Sequence, residues 1–167
     1  PEIVGGNMWQ NLDIYDGRFP ASSLPSGFVQ GVSDSTIENG FETVYITGRR
    51  GAGTDQDLFR LQIRDLDDRS QDDWQRVGIW WSGTSAQGGG ALDPVRRIFL
   101  RTGSGNTIPF SYWNLATAGP TNRDVPVTSV IDASGSFSMN SNFGMDFDPV
   151  RSRFMLFNGG GTIWSVV

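Results

Sequence analysis

Two pairs of neighbouring side chains are the strongest candidates for chemistry in this 167-residue chain. Arg49 and Arg50 can hold a carboxylate through bidentate hydrogen bonds, or meet the acidic surface of a partner. Trp80 and Trp81 are followed by serine, glycine and threonine, a setting in which an exposed indole can stack on a sugar ring. A third loop, rich in serine and glycine, adds the amide of Asn106. These five residues form the predicted ligand-binding set.

Each of these candidates also has a purely structural interpretation. Neighbouring residues on a strand point to opposite faces, so one indole of Trp80 and Trp81 can be buried while the other is exposed. Alternatively, both indoles pack between sheets. The arginine pair is equally typical of a solvated loop tip. The glycines that follow it do not make a phosphate-binding loop, because the lysine and the spacing are missing.

The residue types that are absent exclude several kinds of site. The chain has no histidine and no cysteine, and all thirteen of its basic residues are arginine. A Ser-His-Asp triad, a thiolate nucleophile and the usual zinc, copper or haem ligands are therefore excluded. The net charge of 13 − 18 = −5 disfavours nucleic acid and anionic membranes. We predict no cofactor and no metal site, and no apolar run approaches the ~18 residues of a membrane span.

Acidic residues between positions 65 and 73 offer several carboxylate oxygens, the ligands that Ca²⁺ prefers. They lack the spacing of a calcium loop with its glycine and terminal glutamate, so a solvated turn is the favoured interpretation. A pair of carboxylates for glycoside hydrolysis needs a separation of about 5–10 Å in space, which the sequence does not define. We therefore assign no catalytic residue.

The elements that would position these residues are short strands. Apolar residues alternate or form brief runs, and glycine, aspartate, asparagine or proline bounds each run. The predicted strands include residues 43–47, 58–63, 73–78, 97–100, 110–115, 125–131, 154–157 and 162–167. The stretch 57–69 is the best helical candidate, but its aspartates interrupt the pattern. The sequence predicts an all-β fold.

The strands recur with a period of about 50 residues. An Asp-Pro-Val-Arg turn begins at Asp93 and again at Asp148, 55 positions later, and an aliphatic strand follows each. An aromatic residue on the next strand also recurs, at spacings of 50, 54 and 51. These aromatic anchors are Trp9, Phe59, Trp113 and Trp164. A repeat of this length with four short strands is typical of a β-propeller blade.

Within this repeat, the turn aspartate and arginine are interpreted as structural. Proline after Asp93 or Asp148 presets the backbone for a type I turn, and the arginine is expected to bond back to the aspartate or to the neighbouring blade. The third strand of each unit is expected to carry the aromatic anchor. The fourth strand is expected at the outer edge, where Pro126 is tolerated because an edge does not need every main-chain donor.

The pattern of Asp-Pro-x-Arg, apolar run, glycine and aromatic strand resembles the kelch repeats of bacterial galactose-oxidase-like β-propellers. The resemblance covers nearly the whole chain, with its fuller match at residues 57–61 followed by 74–77. Paired glycines after the second strand survive only at 5–6 and 159–160. The copper oxidases of this group use tyrosine, histidine and cysteine side chains. Their activity does not carry over, since two of those three residue types are missing here.

The resemblance implies one propeller-like domain spanning 1–167, with blade pieces at about 1–30, 32–80, 90–131 and 142–167. These pieces amount to roughly three blades, whereas a propeller needs at least four to close. Three resolutions stay open. The chain is a piece of a longer propeller, or it completes the ring with copies of itself or another chain, or its ends pair differently and the fold is a sandwich.

The predicted function is that of a non-catalytic propeller module, a binding or assembly subunit for a protein or glycan partner. Resemblance to secreted kelch-like proteins places it in an extracellular or periplasmic compartment. The alternative is a piece of a carbohydrate-active propeller enzyme whose catalytic residues lie outside this chain.

Overall fold

The computed structural model describes residues 33–49, 56–65, 68–79, 89–102, 110–127, 143–158 and 162–166. These residues build three antiparallel sheets, each a meander in which consecutive strands are hydrogen-bonded neighbours. The described residues contain two single-turn 3-10 helices, Arg69–Gln71 and Leu115–Thr117, and no α-helix. The all-β prediction is confirmed.

The strands follow one another in chain order through the three sheets. Sheet 1 consists of β1 (Ser33–Glu38), β2 (Phe41–Arg49), β3 (Gln56–Ile63) and β4 (Asp73–Ile79). Sheet 2 consists of β5 (Gly90–Asp93), β6 (Ile98–Thr102), β7 (Phe110–Asn114) and β8 (Val125–Val127). Sheet 3 consists of β9 (Phe143–Asp148), β10 (Arg153–Asn158) and β11 (Thr162–Val166).

Three hairpin turns join the first and second strands of the sheets. Asn39 and Gly40 close the first with φ of 53° and 84°, as expected for Asn-Gly in a tight hairpin. In the second, the Asp93 carboxylate accepts hydrogen bonds from the main-chain N–H groups of Val95 and Arg96, both at 2.9 Å. Asp148 makes the equivalent pair of bonds in the third turn. The aspartates thus initiate the turns, as the sequence predicts.

The second turn corrects one predicted strand boundary. The apolar pattern predicts a strand from Arg97, but β6 begins at Ile98, because Arg97 adopts the left-handed conformation with φ of 57°. Ser152 has a φ of 53° at the same place in the third turn. A four-residue hairpin loop commonly closes with one residue in this region, and the hydrophobic pattern of the sequence does not reveal it.

Sheet 2 packs between the other two sheets. Its first strand, β5, lies against both β1 and β9. One core cluster joins sheets 1 and 2 through Tyr45, Leu58, Val77, Leu92, Phe99, Trp113 and Leu115. A second cluster joins sheets 2 and 3 through Ala91, Leu100, Phe110, Phe154 and Leu156. Burial on both faces accounts for the apolar run Ile98-Phe99-Leu100 in β6, whose side chains alternate between the two clusters.

The aromatic anchors occupy matching places. Phe59 lies on β3, Trp113 on β7 and Trp164 on β11, the third strand of each sheet. Trp113 packs in the cluster shared with sheet 1, and Trp164 packs against the cluster shared with sheet 2. Trp9, the remaining anchor, lies outside the described residues. Trp113 and Trp164 therefore each face the sheet that precedes their own in the chain.

Candidate functional site

The connections of the sheets divide between two ends. The three hairpin turns after β1, β5 and β9 form one end, which we call the turn end. The opposite end, the loop end, is where β2, β6 and β10 finish and β3, β7 and β11 begin. Strand β4 also finishes there, since Asp57 of β3 pairs with both Gly48 of β2 and Ile79 of β4.

Of the five predicted binding residues, the structure describes one, and it lies at the loop end. Arg49 is the last residue of β2, paired with Gln56, and so lies at this end of sheet 1. Arg50, Trp80, Trp81 and Asn106 lie outside the described residues. In the sequence, Arg50 follows the end of β2 and Trp80 follows the end of β4. The register therefore brings the strands that precede these two candidates to the same end of the same sheet.

At the turn end, a hydrogen-bonded group joins sheets 1 and 2. The Tyr45 hydroxyl donates to Glu38 Oε1 at 2.8 Å, and Arg97 Nη1 donates to the same oxygen at 2.9 Å. Arg97 Nη2 also approaches the Tyr45 hydroxyl at 3.5 Å. Burial, reinforced by the neighbouring Glu38 carboxylate, raises the pKa of Tyr45 to about 12. The phenol is therefore a fixed donor at neutral pH.

The turns of sheets 2 and 3 are also tied together. Arg96 Nη2 donates to the main-chain carbonyl of Ser152 at 2.9 Å, while its Nη1 lies 3.5 Å from Asp93. In the third turn, Arg151 bonds back to Asp148 at 3.0 Å, and this hydrogen bond lowers the pKa of Asp148. The turn arginines make both kinds of contact that the sequence predicts, one to the aspartate and one to a neighbouring sheet.

Buried charges lie toward the loop end. Asp57 is fully buried, and its Oδ2 lies 3.3 Å from Nη1 of Arg76 on the neighbouring strand β4. Arg101 is also fully buried, and this burial lowers its pKa to about 9, while nearby Asp124 acts in the opposite direction. A pKa of about 9 leaves the guanidinium charged at neutral pH. Buried charges of this kind persist only beside compensating groups, so we interpret these residues as structural.

The described acidic residues between positions 65 and 73 bond to donors of the chain itself. Asp65 accepts a hydrogen bond from the main-chain N–H of Asp68, and Asp68 accepts one from that of Ser70. Asp72 accepts from the main-chain N–H of Arg64, and Asp73 lies 3.0 Å from Arg60. Within the described ranges, no group of three or more acidic residues could hold a metal ion. This geometry favours the turn interpretation over a calcium site.

Two contacts of this structure escaped the sequence-based prediction. The residues of the Glu38–Arg97 pair are 59 positions apart, and Asp34 accepts a hydrogen bond from the main-chain N–H of Leu92, 58 positions away. The near-constant repeat length could have indicated that such contacts exist, because residues one repeat apart lie on adjacent sheets of a stack. The identity of the partners was not deducible from that spacing.

Comparison with known proteins identifies no relative: no family model, no curated protein and no solved structure matches this chain. Among the described residues, no helix is long and apolar enough to cross a membrane.

Proposed function

We propose that this chain is a non-catalytic β-propeller module of the kelch type, which binds a glycan or protein partner outside the cytoplasm. One observation carries most of this proposal. The first strands β1, β5 and β9 lie side by side, and the Leu92 main-chain N–H of β5 donates to Asp34 of β1 at 2.7 Å. A β-propeller repeats four-stranded meanders radially, so the first strands of its blades lie together around a common centre.

The orientation of the sheets supports the same proposal. The two tryptophans on third strands face the preceding sheet, so the sheets repeat in one direction along the stack. In a sandwich, two sheets would enclose one core between them. Here sheet 2 has a core cluster on each face. Neighbouring blades of a propeller also stack in one direction, so this orientation supports the proposal.

The loop end is the proposed binding face. Arg49 and the ends of β2 and β4 lie there, and binding residues commonly occupy loops held by a rigid scaffold. From the sequence, Arg50, Trp80, Trp81 and Asn106 are proposed to supply the contacts. An exposed indole beside arginine and hydroxyl side chains suits a sugar ring, with its apolar face and polar rim.

Glycan-array binding tests this role. We expect the wild-type chain to bind a subset of glycans, and Trp81→Ala to weaken binding by roughly 30-fold, the equivalent of about 2 kcal/mol for a central aromatic contact. Val150→Ala is the matched control, because Val150 is 87% exposed in a turn at the opposite end. Wild-type chain that binds no glycan, or a Trp81→Ala variant that binds as well as wild type, would remove the sugar-stacking role.

A further inference from the structure

The face of sheet 3 that points away from sheet 2 exposes large apolar side chains. Phe154, Leu156 and Trp164 face sheet 2. Because side chains alternate along a strand, Phe157 and Ile163 point the other way, and they are 43% and 59% exposed. We call this surface the outer face of sheet 3. It includes the apolar side chains of Met155, Phe157 and Ile163 and the polar or charged side chains of Asp146, Asp148, Arg153 and Ser165.

The corresponding faces of the other two sheets are covered. In sheet 1, the face toward sheet 2 holds Tyr45 and Leu58, which are at most 1% exposed. In sheet 2, the face toward sheet 3 holds Leu100 and Phe110, which are at most 4% exposed. At each of these two interfaces, the cover is the next sheet of the same kind. The outer face of sheet 3 is the next position in that series.

An aspartate on the outer face of sheet 3 resembles the aspartate that joins sheet 1 to sheet 2. On β1, Asp34 accepts the main-chain N–H of the next residue through Oδ1 at 2.7 Å and that of Leu92 in sheet 2 through Oδ2, also at 2.7 Å. On β9, Asp146 accepts the main-chain N–H of the next residue through Oδ1 at 2.8 Å. The two aspartates therefore share one local conformation on the first strands of their sheets.

The two aspartates also share a face. Asp34 pairs across the strands with Tyr45, which points toward sheet 2. Asp146 pairs with Met155, which lies on the outer face of sheet 3. Cross-strand partners point to the same side of a sheet. Asp146 is exposed, and no described residue donates a hydrogen bond to its Oδ2. It holds the position that Asp34 uses to bind the next sheet.

We propose that the outer face of sheet 3 binds a second copy of this chain, with Asp146 accepting a main-chain N–H from a strand of that copy. The inference rests on the proposed propeller function and identifies its partner surface. The existing interfaces show that such a face is covered by a sheet of the type this chain builds. Two copies related by a two-fold axis would bring six described sheets together, within the 4–8 blades of closed propellers.

Sedimentation equilibrium of the full chain from about 1 to 100 μM tests this proposal. We expect a species of twice 18.3 kDa. Ile163→Arg places a charge in the apolar contact and should raise the dissociation constant at least 100-fold. Asp146→Ala should raise it about 100-fold, because the two-fold axis makes the change remove two hydrogen bonds to a charged acceptor, each worth about tenfold. Val150→Arg introduces the same charge at a turn valine and should leave the dimer intact.

A wild-type chain that stays monomeric at 100 μM would overturn the proposal, as would a dimer that neither Ile163→Arg nor Asp146→Ala weakens. Assemblies that grow beyond two copies would overturn the closed pair. Circular dichroism of each variant shows whether it is folded. A monomer that still binds glycans would leave the proposed function standing, whereas an intact dimer with no partner binding would remove the proposed function alone.

Discussion

Replacing Trp113 with alanine is expected to lower the free energy of unfolding by about 3–5 kcal/mol, the usual cost of removing a fully buried aromatic side chain. Trp113 has 0% exposure and lies between sheets 1 and 2. Its ring is 6.1 Å from that of Phe99, and its indole N–H donates to the carbonyl of Ile79 at 3.2 Å. The substitution leaves a cavity in the cluster that joins the two sheets, while the Ile79 carbonyl keeps its hydrogen bond from the main-chain N–H of Asp124 at 3.2 Å. Urea unfolding followed by circular dichroism measures the loss.

Trp164→Ala is the matched control for this variant. Trp164 occupies the same place on the third strand of sheet 3, but it is only partly buried. A smaller loss is expected because less apolar surface returns to water. If the two variants lost the same stability, Trp113 would not be the centre of a buried interface between sheets.

Adding a single methyl group at Gly78 is expected to destabilise the same interface. An ideal Cβ at this position would lie 2.6 Å from Cδ1 and 2.7 Å from Nε1 of Trp113, closer than real Cβ atoms come. The indole has no room to retreat, because it is itself fully buried. Gly78→Ala should therefore cost about 1–3 kcal/mol, as overpacking of a core does. The urea midpoint, with the slope checked for two-state behaviour, gives the value.

Two comparisons isolate the cause of this effect. Gly119→Ala adds the same methyl group where no atom lies within 4 Å of the ideal Cβ, so its effect should stay within about 1 kcal/mol. Combined with Trp113→Ala, the Gly78→Ala change should lose most of its cost, since the clashing ring is gone. A full additive cost in the double variant would show that the strain at Gly78 has another origin.

Much of the local structure follows from the sequence. Alternating apolar residues and bounding turn residues predict the strands, and the turn aspartates behave as their chemistry requires, with Asp93 and Asp148 accepting main-chain N–H groups. The repeat of about 50 residues agrees with the order of the described sheets along the chain. Each predicted blade piece from 32–80 onward contains one described sheet, while the piece at 1–30 lies outside the described residues.

The contacts between sheets do not follow from the sequence in the same way. The bond from Leu92 to Asp34 and the bond from Arg97 to Glu38 join residues nearly 60 positions apart. Nothing in the local pattern distinguishes Asp34 from any other exposed aspartate, because its role depends on which strand lies beside it. Of the candidate site, the register locates Arg49 at the loop end, and binding by the others stays a prediction.

The first strands of consecutive sheets lie side by side, and an engineered disulfide between neighbouring sheets tests this arrangement. An ideal Cβ at Gly89 would lie 3.0 Å from the Cβ of Met145 on β9. A disulfide needs about 3.5–4.5 Å between these atoms, so a small local shift suffices. The natural chain has no cysteine, so the pair Gly89→Cys and Met145→Cys introduces the only two thiols.

Intact mass and thiol counting under non-reducing conditions provide the readout, with the two single variants as controls. We expect the double variant to form one intramolecular disulfide on air oxidation, with no free thiol left in the folded protein. Two free thiols in the folded double variant would place β5 and β9 apart and contradict the stacked arrangement of the sheets.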